Sequence, residues 1–165
     1  DFTLPSEPSV LDYVATGYSS VPFVSMLTLA AFLLCHHGLL EAALTIFIAL
    51  VGAVMLWLKA TFEQQRPAGS CIISCGMPSG HSSFSISVLT LLLCELQGRL
   101  KGSTRLYVSA ALVAFFGPVP WSRVQLGDHS VKQVAAGSAV GMGIAVVYFG
   151  FLRTVLATHA ASVIE

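Results

Sequence analysis

Charge is what this sequence has least of. Eight Lys and Arg and eight Asp and Glu make up only 10% of 165 residues, where an ordinary soluble domain carries about a quarter. So few charged side chains cannot cover a water-facing surface, which excludes a soluble globular domain. The formal net charge of zero leaves no basic stripe to neutralise a phosphate backbone, so nucleic acid is excluded as a partner. No Gly/Ser linker or charged tail divides the chain, and no repeat of solenoid length recurs, so one domain is expected over residues 1–165. Nor is there a carboxylate pair or a Cys/His set at ligand spacing to hold magnesium or zinc; no metal site and no cofactor are expected.

What the chain has instead is apolar surface. Hydrophobic residues reach 55% and the mean hydropathy is +0.81. Long apolar runs without strand-like alternation read as helices, since backbone polar groups in lipid must be satisfied internally. The expected fold is an all-α integral membrane bundle of about five transmembrane helices, with the active site at one membrane face. The spans fall near residues 20–40, 41–62, 82–97, 104–121 and 129–156, the third and fourth short of the roughly 20 residues a bilayer asks for. Val21-Pro22 suits the start of the first span, and residues 1–19 read as an interfacial segment. The first span runs almost directly into the second, unlike a cleaved signal; because the chain begins at Asp1, removal of a preceding segment is left open.

Arg99, Lys101, Arg105 and Arg153 share one face with the His36-His37-Gly38 turn, and the positive-inside tendency puts that face in the cytosol. The loops around 63–80 and 121–128 then face the lumen or exterior. Lys59, Arg66 and Arg123 lie on that side and run against the count, unless they bind substrate.

Those remaining charges cluster. Lys59, Glu63 and Arg66 close the second span; Arg123, Asp128, His129 and Lys132 open the fifth; His81 opens the third, inside the run Cys75-Gly-Met-Pro-Ser-Gly-His-Ser-Ser-Phe-Ser85. Ionisable groups at membrane depth are costly and therefore functional candidates, although each could instead snorkel to the headgroups. Lys59 and Arg66 are seven residues apart, two helical turns, and project from one side; Pro67 then stops the helix. Ser79 and Gly80 precede a helix N-terminus, where free N–H groups and the dipole favour an anion. Three cations, a nest of N–H donors and two histidines fit a tetrahedral oxyanion, phosphate, at the membrane surface.

Lys59-(six residues)-Arg66-Pro67, Pro78-Ser79-Gly80-His81 and Ser122-Arg123-(five residues)-His129 resemble, in order and internal spacing, the three motifs of the type-2 phosphatidic acid phosphatase superfamily. Gly76-Met77, Val124, Leu126 and Gln133-Val134 are most similar to its dolichyl-diphosphatase branch. Gln133 stands where the family usually has Asp, and Gly80 where that branch usually has a second serine. The resemblance implies a metal-independent lipid phosphatase that removes the terminal phosphate of a polyisoprenyl diphosphate such as dolichyl diphosphate. His129 would be the nucleophile forming a phosphohistidine, His81 the general acid and base, and Gln133 the residue orienting His129. Lys59, Arg66, Ser79, Gly80 and Arg123 would bind phosphate. The implied partners are a lipid phosphate and the bilayer, and the implied location is the endoplasmic reticulum with the site facing the lumen, in protein glycosylation. The alternatives are a phosphatidate or other lipid-monophosphate phosphatase, a sugar-phosphate phosphatase, or a non-catalytic lipid-binding relic of the fold.

Other features have plainer readings. Cys71 and Cys75 are free thiols by default, a disulfide being the alternative; Cys35 and Cys94 are packing residues. Glu95 and Arg99 are expected to pair at a helix end, and Gly137, Gly141 and Gly143 to form a close packing face. His159 has no assigned partner.

Overall fold

A computed structural model of the chain describes residues 3–36 and 38–162, the side chains of 40 and 156–162 aside. His37, the side chain of His159 and residues 1 and 2 of the expected interfacial segment lie outside the described residues. Among those described there are six helices and no strand: α1 Val10–Cys35, α2 Leu39–Phe62, α3 Gly80–Arg99, α4 Gly102–Phe116, α5 Val119–Gln125 and α6 Val131–Ser162. The fold is an all-helical membrane bundle. Leu27, Leu34, Leu56 and Val147 are each more than 70% exposed, which water would not tolerate in such numbers and hydrocarbon does.

Among the described residues, three helices are long and apolar enough to cross a bilayer by themselves: Val10–Cys35, Glu41–Phe62 and Val131–Val155. The other expected spans differ for physical reasons. At 20 residues α3 has the length to cross, about 30 Å, but its first half buries Ser82, Ser83, Ser85 and Ser87 rather than showing apolar side chains to lipid. The expected 104–121 span is two helices, a 15-residue α4 and the short α5 that carries Arg123.

The first helix also starts earlier than expected, at Val10 instead of near residue 20. A reciprocal capping box sets it: Ser9 N–H donates to Asp12 Oδ2 at 2.8 Å, and Asp12 N–H donates to Ser9 Oγ at 3.4 Å. Pro22 therefore lies inside α1 rather than at its start. The buried face of this helix, Asp12, Ala15, Ser19 and Pro22, follows helical spacing and packs on α5.

The most extensive helix contact is α3 on α6, and glycine makes it. A Cβ on Gly137 would collide with the Ser79 carbonyl oxygen, and one on Gly141 with that of Ser83. Gly143 does not share this face; nothing lies within 4 Å of a Cβ built there, because two residues on from Gly141 the helix has turned away. Apolar packing completes the bundle: Phe47, Val51 and Met55 of α2 meet Leu91, Ala145 and Tyr148, while Val21 of α1 meets Leu89, Phe116 and Val119. At the end opposite the site, Glu95 pairs with Arg99 at 3.1 Å, as expected, and with Arg153 at 3.4 Å. All four cysteines are free.

Candidate active site

The site lies where α2 ends, α3, α5 and α6 begin or end, and the N-terminal half of α1 passes. Each residue is brought there by a local device. Glu63 caps α2 in the left-handed conformation, φ 44°, and turns the chain toward Arg66. Gly127, also left-handed at φ 69°, reverses the chain after α5, so that the amides of Asp128 and His129 both donate to the Arg123 carbonyl at 3.1 Å. His129 is thus tied to Arg123 before α6 begins.

The helix start after His129 is a second capping box. Ser130 N–H donates to Gln133 Oε1 at 3.1 Å, and Gln133 N–H donates to Ser130 Oγ at 3.3 Å. His129 therefore precedes α6 rather than beginning it. The same Oε1 lies 3.2 Å from His129 Nδ1. The amide nitrogen of Gln133 donates to Gln64 Oε1 at 3.1 Å and to the Gln65 carbonyl at 2.8 Å, so both ends of the side chain are committed and the amide cannot bind the wrong way round.

These bonds settle the imidazole. Arg66 Nη1 is 2.9 Å from His129 Nε2, and a guanidinium only donates, so Nε2 is the acceptor. Nδ1 then carries the hydrogen and donates it to Gln133. Burial, followed by the charges of Arg66 and Arg123, pushes His129 down to about 3, against a smaller opposing pull from Gln133. The result is a neutral imidazole at physiological pH with its lone pair aimed into a cationic pocket.

Arg66 is held as a fork: Nε donates to the Ser74 carbonyl at 2.8 Å, Nη2 to Ser74 Oγ at 3.0 Å and Nη1 also to the Asp128 carbonyl at 2.9 Å. Arg123 is fully buried; Nη2 pairs with Asp128 Oδ2 at 2.9 Å, and Nη1 donates to Ser19 Oγ of α1 at 3.1 Å. Lys59, half-buried, is within electrostatic reach of Arg66, Cys75 and Arg123. His81 is within such reach of Arg123, His129 and Arg66; its Nε2 is buried with no hydrogen-bond partner, and its ring meets the ring of Phe23 edge-on at 5.3 Å. Between them, Pro22, Phe23, Met26, Gly80, His81 and Phe84 line a small apolar cavity of about 170 Å³.

Lys59, Arg66, His81, Arg123, His129 and Gln133 thus come together at one end of the bundle. One expectation needs correcting in detail: the Ser79 amide donates to the Gln133 carbonyl at 3.0 Å and is committed to holding α3 on α6. The donors left at this terminus are the first-turn amides of Gly80, His81 and Ser82, which have no acceptor within the helix. Sequence reasoning missed Asp128 as the partner of Arg123, Ser74 as the anchor of Arg66, and Ser19 and Asp12 of α1, Asp12 accepting from Gln125 Nε2 at 2.9 Å. Only the two capping boxes left a readable trace, Ser9-x-x-Asp12 and Ser130-x-x-Gln133. Among the described residues no group of three or more His, Cys, Asp or Glu is placed to hold a metal ion.

Known proteins share this architecture. The structure of a transmembrane PAP2 type phosphatidylglycerolphosphate phosphatase from Bacillus subtilis superposes with a TM-score of 0.75 at 22% identity, over 90% of this chain and 80% of that one. Aquifex aeolicus LpxE gives 0.64 at 20% identity, over 88% of each. Dolichyldiphosphatase 1 of Dictyostelium discoideum is 33% identical over 114 residues, 65% of this chain; the chain spans about half the length of that relative, 50%. Residues 38–156, which hold all three motifs, match the pattern described as the PAP2 superfamily, and the chain belongs to that superfamily.

Proposed function

We propose that the protein hydrolyses the terminal phosphate of a polyisoprenyl diphosphate, such as dolichyl diphosphate, through a phosphohistidine on His129 and without a metal ion. The observation that carries the reading is the state of His129: neutral, tautomer fixed by Gln133, Nε2 lone pair facing Arg66. The 33% identity to Dolichyldiphosphatase 1 supports the substrate class.

Nε2 attacks phosphorus as Arg66 Nη1 turns from the imidazole to a phosphate oxygen. The P–N bond forms as the P–O bond to the lipid monophosphate breaks, and His81, protonated beside the substrate's phosphate charge, gives that proton to the leaving oxygen. Water then attacks the phosphohistidine, His81 takes its proton, and orthophosphate leaves with His129 neutral again. Lys59, Arg66, Arg123 and the first-turn amides of α3 face the equatorial oxygens, where charge builds in the transition state. Gln133 keeps Nδ1 protonated and stabilises the phosphoimidazole less than a carboxylate would.

The basic residues Arg99, Lys101, Arg105 and Arg153 sit at the helix ends remote from the site, which supports a cytosolic position for those ends and a lumenal one, in the endoplasmic reticulum, for the pocket. The test is phosphate release by one purified preparation in excess chelator from dolichyl diphosphate, phosphatidate and glucose 6-phosphate. The diphosphate is expected to be the preferred substrate by kcat/KM. Preference for phosphatidate would assign a lipid-monophosphate phosphatase, and dependence on added metal would contradict the mechanism.

A further inference from the structure

Asp128 is not one of the residues that define the motifs, although it lies inside the third, between Arg123 and His129, and it is the residue on which the site converges. Its carboxylate is fully buried, with Oδ2 2.9 Å from the equally buried Arg123. Thr3 donates to it through Oγ1 at 2.6 Å and through its amide at 3.2 Å, and Ser70 through Oγ at 3.3 Å. Thr3 Oγ1 in turn accepts from the Cys71 amide at 3.0 Å. The main-chain carbonyl of Asp128 takes Arg66 Nη1. One residue, immediately before His129, therefore touches both arginines, one through charge and one through backbone.

A buried guanidinium is costly unless a counter-charge accompanies it. Asp128 supplies that charge, and in doing so it takes up one arm of the fork that Arg123 offers to a phosphate. We propose that Asp128 is a positioning residue that holds Arg123 in line and competes with phosphate for it, so that it sets how tightly orthophosphate is retained and how fast product leaves. The inference rests on the reading of Arg123 as a phosphate ligand. A purely structural role, stapling the N-terminal segment and the 63–79 loop to the bundle, makes a different prediction. It lowers stability and activity together and gives no reason for phosphate to bind more tightly.

The experiment is calorimetric titration of orthophosphate into purified wild type, Asp128→Asn, Thr3→Val and Arg123→Gln, with melting temperature and kcat measured on each. Asp128→Asn keeps an acceptor for Arg123 but removes the charge. At an effective dielectric near 20, one unit charge several ångströms from phosphate is worth roughly tenfold or more in affinity. Orthophosphate is therefore expected to bind Asp128→Asn about tenfold more tightly, with kcat falling about fivefold or more as release slows. Thr3→Val keeps the carboxylate but removes its shortest donor, so the carboxylate leans harder on Arg123 and orthophosphate binds about two- to threefold more weakly. A folded Asp128→Asn that binds orthophosphate no tighter than wild type overturns the proposal. If Asp128→Asn does not fold, Thr3→Val decides, and tighter or unchanged binding there overturns it. If Arg123→Gln binds orthophosphate as wild type does, the failure belongs to the reading of Arg123; a weakened Arg123→Gln beside an unchanged Asp128→Asn sinks the competition alone.

Discussion

Replacing Gln133 with alanine removes four hydrogen bonds at once, and they do different work. Two, to Gln64 and Gln65, lock the amide; one, from the Ser130 amide, caps α6; one, from His129 Nδ1, fixes the tautomer. At a net 0.5–1.5 kcal/mol each, their loss costs roughly 2–6 kcal/mol of stability. Only the His129 bond acts on the chemical step. Losing an orienting bond of about 1.5 kcal/mol costs about tenfold in rate, and a freed ring that turns its N–H toward Arg66 loses its lone pair altogether. We therefore expect Gln133→Ala to lower kcat at least about tenfold, with KM little changed because Lys59, Arg66 and Arg123 still bind phosphate. The assay is initial-rate phosphate release in detergent, with ¹⁵N spectra of histidine-labelled protein reporting the tautomer. Gln133→Glu separates the effects: it keeps an acceptor for Nδ1 but sets its second oxygen against two acceptors, Gln64 Oε1 and the Gln65 carbonyl. It should melt at a lower temperature than wild type near neutral pH and recover when acid protonates the carboxyl. Wild-type kcat in Gln133→Ala, with the Nδ1–H tautomer lost, would refute the orienting role.

Three further outcomes follow from the site. Because His129 is pushed down to about 3 while an unfolded histidine takes its proton near 6.5, the folded state binds fewer protons between those values. Stability contributed by this group is complete above about 6.5 and is lost as pH falls toward about 3; NMR at pH near 5 should show a neutral His129, and an imidazolium there would contradict the burial argument. A Cβ on Gly76 would stand 2.6 Å from Gln133 Nε2, so Gly76→Ala should lower kcat by about as much as Gln133→Ala while costing less stability, checked by rate and melting point together. Phe23→Ala removes an edge-on ring contact with His81 worth about 0.5–1.5 kcal/mol, and kcat should fall about three- to tenfold; an unchanged rate would show that α1 does not position the acid.

Much of the site was legible in the sequence because its chemistry is written locally. Pro78-Ser79-Gly80-His81 announces a helix start, and Gln133 sits one turn from His129 by count alone. The seven-residue spacing of Lys59 and Arg66 misled, because α2 ends at Phe62 and Glu63 turns left-handed, so Arg66 reaches the site from the following loop and not from a shared helix face stopped by Pro67. What lay beyond reach depends on contacts between segments far apart in the chain. Asp128 meets Arg123 only because Gly127 reverses the chain, and Ser19 meets Arg123 only because α1 packs on α5. Hydropathy misplaced the start of α1 because Val10 to Ser19 is mixed in character, although the Ser9–Asp12 box marks the true boundary. It also merged α4 with α5, since Gly117 and Pro118 break the helix without breaking the apolar run. Gly143 looked equivalent to Gly137 and Gly141 until the helix phase separated them.

The central claim is that His129 carries the phosphoryl group. Rapid acid-free quenching of the protein during turnover of a lipid diphosphate, followed by mass spectrometry of its peptides, tests that claim most directly. One phosphoryl group on His129 in the wild type, accumulating in His81→Ala and absent from His129→Ala, is the predicted result. Continued turnover by His129→Ala, or a phosphoryl group found on another side chain, would contradict it.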